Sequence, residues 1–267
     1  MRLVSFCLIV CMLLLAAGCL QGASPPEPHQ EEMLVLLSTM QDAVAGAIMR
    51  VDVATKDAAR QLGRSGDTAG AVLEELAASD PSVVYTYSFD RNGTILAVVP
   101  PQFDDLVGES TGDLTGHEGF FDHPLMSDLF LLPGAGYVAV IEYPAFSKGG
   151  VVIGGVGAAF SPDRLVAPCA ESALAGTPYS AMAAQAGGRI LYDPDPEEVG
   201  KETFDEILYA EFPEILDFAR QYAEKGSGYA TYSFYDTGFG RVVSKEAFWT
   251  TVGAHGQEWR LIVINEI

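Results

Sequence analysis

At 267 residues the chain has room for one large domain or two ordinary ones, and its 49% hydrophobic residues supply a core. A formal net charge of −21 excludes a nucleic-acid-binding face, because nothing could neutralise a phosphate backbone over a broad surface. The cysteines Cys7, Cys11, Cys19 and Cys169 offer neither a disulfide framework nor a CxxC metal pattern.

The chain opens on Met1-Arg2 and an uncharged run from Leu3 to Ala17. That run falls short of the about 20 apolar residues a spanning helix needs and fits a signal-peptide core. Ala16-Ala17-Gly18-Cys19 resembles a lipoprotein cleavage box, although Ala16 stands where leucine is usual. Residues 1–18 are therefore read as a signal peptide and Cys19 as the new, lipidated N-terminus. The alternative is an uncleaved single-pass anchor. Both readings place the body on the extracytoplasmic side and tether it to the cell membrane. Residues 19–30, with Ser24-Pro25-Pro26-Glu27-Pro28, form a proline-rich spacer.

Residues 31–81 read as a helical stalk. Met33, Leu37, Met40, Val44, Ala47, Val51, Ala54, Ala58 and Leu62 recur at steps of three and four. A helix from Glu31 to about Leu62 would span roughly 45 Å, enough to serve as a spine for two stacked modules. Homodimerisation through it is equally open. Gly63, Ser65 and Gly66 break it; Asp67 or Thr68 caps a shorter helix through Ala77, which Asp80-Pro81 ends.

The rest of the chain reads as two modules, residues 82–168 and 169–267, and one stretch occurs in both. Gly93-Thr94-Ile95-Leu96 runs on to Gly108, and Gly188-Arg189-Ile190-Leu191 runs on to Gly200. Gly134-Ala135-Gly136-Tyr137 and Gly226-Ser227-Gly228-Tyr229 then come at equal distances, which reads as duplication. In the first module Val83 to Phe89 alternates, with Tyr85, Tyr87 and Phe89 on one side. Asn92-Gly93 turns it into a partner strand, Thr94 to Val99. An irregular excursion from Pro100 to Leu132 leads to strands Tyr137 to Tyr143 and Val151 to Phe160. The second module repeats the hairpin, then fills its excursion with a helical pattern from Thr203 to Lys225, and closes on three strands. Antiparallel sheets with helices on one face make this an α+β fold.

With the long helix, the two modules and Phe89-Asp90-Arg91-Asn92-Gly93-Thr94-Ile95-Leu96 in view, the chain resembles the double Cache sensor domains. Val107-Gly108, Ile141-Glu142-Tyr143-Pro144 and Ile153-Gly154-Gly155-Val156 carry the same resemblance. That family strings two extracytoplasmic PAS-like modules on one long helix. The resemblance implies reversible binding of a small molecule in the membrane-distal module, residues 82–168, with 169–267 membrane-proximal. Amino-acid-binding members have an Arg-x-Trp-Tyr type motif in the distal excursion. Here His117-Glu118-Gly119-Phe120-Phe121 stands in its place, so the guanidinium clamp for a carboxylate is absent. Receptors of this kind continue into an output domain. The chain stops at Ile267, so its signal or cargo is expected to pass to a membrane partner.

The ligand site predicted on these grounds is Tyr87, Tyr137 and Glu142 on strands, facing His117, Phe120, Phe121, Asp122 and His123 on the excursion. Aromatic rings would supply area and the ionisable groups orientation, and a cationic ligand would suit Asp122 and Glu142. His117 and His123 with Glu118 and Asp122 could in principle ligate a metal, which would make the protein a metal-dependent hydrolase, but the spacing matches no ligand pattern. No nucleophile elbow, phosphate loop or dinucleotide fingerprint is present, so neither catalysis nor a cofactor is expected. The competing class is an adaptor lipoprotein whose modules bind nothing.

Overall fold

The structure, a computed structural model, describes residues 26–65, 69–115, 122–236 and 240–267. The chain divides into residues 1–32 and 33–267. Of the first unit, Pro26 and Glu27 lead into helix α1 (Pro28–Ser65). Pro28 takes the first helical position, where its missing N–H costs nothing, and Gln30 Oε1 accepts from the Glu27 N–H at 3.1 Å. The helix therefore begins three residues before Glu31, inside the stretch read as spacer.

Within residues 33–267, one face of α1 is the centre of the main core. Met33, Leu37, Met40, Val44, Ala47, Val51 and Ala58 are all buried there, as their spacing requires. By length and composition α1 could cross a membrane. Its apolar stripe is instead spent on the two sheets. After α2 (Ala69–Ala77) come β1 (Val83–Asp90) and β2 (Ile95–Val99). The excursion contains a 3-10 helix (Pro101–Leu106), α3 (Thr111–Thr115), β3 (Leu125–Met126) and β4 (Phe130–Leu132). Strands β5 (Gly136–Phe146) and β6 (Val152–Phe160) complete an antiparallel sheet ordered β2-β1-β6-β5-β3, with β4 also on β5.

Helix α4 (Pro162–Leu174) then straddles the expected 168/169 boundary. Sequence reading missed it because Pro168 looks like a breaker. Ser161 caps it by accepting from the Arg164 N–H at 3.3 Å, and Leu165, Val166 and Ala170 bury their side chains in the main core. Strands β7 (Ser180–Gln185) and β8 (Ile190–Tyr192), helix α5 (Pro213–Glu224), and strands β9 (Gly228–Tyr235), β10 (Val242–Ala254) and β11 (Gln257–Glu266) form the second module. Its sheet runs β8-β7-β11-β10-β9. Only the last part of the Thr203–Lys225 pattern is helical.

The first part of the repeat is a real structural equivalence. In both copies the glycine after the hairpin and the next one have positive φ: 82° and 95° at Gly93 and Gly108, 97° and 87° at Gly188 and Gly200. The same bonds close each copy. Gly108 N–H donates to Ile95 O at 2.9 Å, and Gly200 N–H to Ile190 O at 2.8 Å. Ile95 N–H donates to Glu109 O, and Ile190 N–H to Lys201 O, both at 2.9 Å. The second part is not equivalent. Gly136 opens β5, whose counterpart in sheet order is β10, whereas Gly228 opens the edge strand β9. Equal spacing there arose because one excursion holds two short strands and the other a helix.

Each sheet turns one face to α1 and α4 and the other to its own excursion. One junction ties α1 to both modules. Asp52 Oδ1 accepts from the Tyr143 hydroxyl at 2.9 Å and lies 2.5 Å from His255 Nε2. His255 has φ 52° beside Gly256 at φ 90° in the β10–β11 turn.

Candidate functional site

The first module's aromatic strand faces its excursion. Tyr85, Tyr87 and Phe89 share a core with Phe103, Leu132, Val138 and Val140. Strand register explains how Tyr87 meets Glu142. On β6, Gly157 pairs with Tyr87 of β1 on one side and with Glu142 of β5 on the other. The absent side chain leaves room for the Tyr87 ring to lie across Gly157, and its hydroxyl donates a short hydrogen bond to Glu142 Oε1. A Cβ at Gly157 would fall 2.2 Å from that ring. We therefore expect Gly157→Ala to destabilise the protein by roughly 1–3 kcal/mol, the usual range for overpacking. Urea unfolding measures this, and a neutral result would show that Tyr87 is free to move.

Glu142 is fully buried, and its Oε2 has no hydrogen-bond partner among the described residues. The Tyr85 hydroxyl is buried and unpartnered in the same way, with the Tyr85 and Tyr87 rings stacked 5.7 Å apart. Burial pushes the Glu142 carboxyl up to about 7, against the opposing effect of the Tyr87 bond. Tyr87 is itself held well above the usual phenol range, first by burial and then by the Glu142 charge.

The other expected site residues are dispersed. Tyr137 lies on the opposite face of β5 from Glu142. It packs against the main core, and its ring covers Gly200 of the second module. Asp122 and His123 are exposed, with Oδ1 and Nδ1 3.1 Å apart. The His123 hydrogen bond lowers the Asp122 carboxyl. His117, Phe120 and Phe121 lie outside the described residues, as does Cys19. Among the described residues no three His, Cys, Asp or Glu side chains come together as a metal set.

The helix of the second excursion does more than pack against its sheet. Ile215, Phe218, Ala219 and Tyr222 of α5 line a cavity of about 420 Å3 against β7 and β9. The signal was compositional: Tyr209, Tyr222, Tyr229, Tyr232 and Tyr235 crowd into one short stretch.

Residues 46–162 match the sensor-domain family described as HK/GC/Chemotaxis protein-like. The chain carries the double Cache fold. An extracellular ligand-binding receptor from Desulfohalobium retbaense superimposes with a TM-score of 0.69 at 24% identity, over 87% of this chain. This chain spans only 40% of that receptor's length. Methyl-accepting chemotaxis protein X gives 0.64 at 14% identity, covering 89% of this chain and 97% of its own. The ligand-binding domain of the Pseudomonas aeruginosa amino acid chemoreceptor PctB, in complex with L-Arg, gives 0.55 at 20% identity over 88% and 85%. No curated protein matches in sequence.

Proposed function

We propose that the double Cache chain is a non-enzymatic, membrane-anchored extracytoplasmic sensor that binds a small amine-bearing molecule in its first module. The observation that carries this reading is the buried Glu142 carboxylate with one oxygen unpartnered, beside the unpartnered Tyr85 hydroxyl. A buried charge without a counter-ion is costly, and an ammonium supplied by a ligand would offset that cost. The complex of PctB with L-Arg supports a ligand of this size and charge. Because Glu142 is held near neutrality by burial, cation binding should draw its proton off.

The test is a thermal-shift and calorimetric screen of amines, amino acids and carboxylates against the protein. An amine should stabilise it, bind more tightly at pH 8 than at pH 6, and lose that preference in Glu142→Gln. Carboxylates stabilising both proteins equally would dispose of the assignment. Anchoring rests on Cys19: Cys19→Ser should move the protein from the membrane fraction to the soluble one. The modules would then report to a membrane partner. Val35, Met49 and Val53, exposed on α1, favour the stalk as a homodimer contact.

A further inference from the structure

The second module holds a built cavity that the first-module reading does not use. Its volume, about 420 Å3, falls within the range of small-ligand pockets. One wall is aromatic. Phe218 stacks on Tyr232 with centroids 4.6 Å apart and planes 7° apart, and meets Tyr222 edge-on at 5.3 Å. Tyr209 and Phe234 extend that wall, with centroids 6.2 Å apart. Among the described residues neither the Tyr209 nor the Tyr232 hydroxyl has a hydrogen-bond partner, and both residues line the cavity.

The lining also includes the turn that carries Asp193, Asp195 and Glu198, and its charges do not balance. Glu198 is engaged by Lys201 at 2.7 Å, and Asp236 by Arg241 at 3.2 Å. Lys245, the basic residue on the lining, is paired with Glu266 at 3.8 Å. Asp193 and Asp195 are left without an ion-pair partner among the described residues. Burial pushes the Asp193 carboxyl up to about 6, so the site would gain from a cation beside it.

We propose that the second module is a receptor site in its own right, for a small organic cation that seats its ammonium against Asp193 and its apolar body between the Phe218–Tyr232 stack and Phe234. Ring faces beside a carboxylate are the environment that suits such a ligand. An anion would meet Asp193 and Asp195, whose charge Lys245 and Lys201 offset only at a distance and while paired with Glu266 and Glu198. A neutral ligand would bury Asp193 further with no compensation.

Phenethylamine, phenylacetate and 2-phenylethanol share one body and differ in charge, so the full chain in detergent is titrated with each by calorimetry. Phenethylamine should bind, with the other two at least about tenfold weaker. Asp193→Asn should weaken phenethylamine by at least about tenfold. Phe234 is half-buried at the cavity wall, so Phe234→Ala serves if Asp193→Asn fails to fold, and should also weaken binding several-fold. Phenylacetate binding as tightly as phenethylamine overturns the proposal. So does binding that is lost in Glu142→Gln yet kept in Asp193→Asn and Phe234→Ala, which would place the ligand in the first module. Absence of binding by all three compounds at about 10 mM overturns it as well.

Discussion

Trp259→Ala should cost about 3–5 kcal/mol of stability, among the largest losses any single side chain here can cause. Trp259 is wholly buried on β11, where it joins the core that α1, α4 and both sheets share and packs 6.2 Å from Phe160 of the first module. Truncation would leave a cavity at the point where the two sheets depend on each other, and rigid neighbours cannot collapse into it. The indole N–H has no hydrogen-bond partner among the described residues. Trp259→Phe therefore removes a buried unsatisfied donor together with the lost volume, and should cost far less than Trp259→Ala. Equal losses for the two variants in urea unfolding would mean the indole ring is not packed as described.

Stability should also fall as pH rises from about 4.5 to about 7, with Glu142 as a principal cause. Unfolded, this carboxyl loses its proton near 4.5; folded, it keeps the proton up to about 7. Between those values the folded state binds more protons, so each step up in pH favours unfolding. The full effect is on the order of 3 kcal/mol, complete above the folded value and absent below the unfolded one. Asp193, raised to about 6 mainly by burial, adds a smaller slope of the same sign. Glu142→Gln should flatten most of the slope and be more stable than wild type at pH 8. Tyr87→Phe removes a bond that favours the carboxylate, so it should carry the loss to higher pH. A slope unchanged in Glu142→Gln, measured as urea midpoint against pH, would assign the effect elsewhere.

The features behind these expectations are unequally legible in the sequence. The buried face of α1 could be read from spacing alone, because helical period decides which residues lie together whatever packs on them. The Asn92-Gly93 turn was equally readable, since positive φ restricts which residues can stand there, and the spacing of Gly108 and Gly200 marked them as equivalent. Glu142 and Tyr87 were singled out, but their meeting was not derivable. It depends on a register that sets Gly157 between them. Tyr137 shows the same limit from the other side. Here alternation alone already sets Tyr137 and Glu142, five residues apart on β5, on opposite faces; only the structure shows that Tyr137 is the one facing the main core.

The sequence by itself determined the spine, the hairpins and the duplicated α+β module, because period and turn chemistry are local properties. Only the tertiary structure decided which sheet face each aromatic occupies, that Gly136 and Gly228 belong to non-equivalent strands, and that the second excursion encloses a cavity. Those outcomes depend on strand order and on how a helix seats against a sheet, and both are set by contacts between residues far apart in the chain.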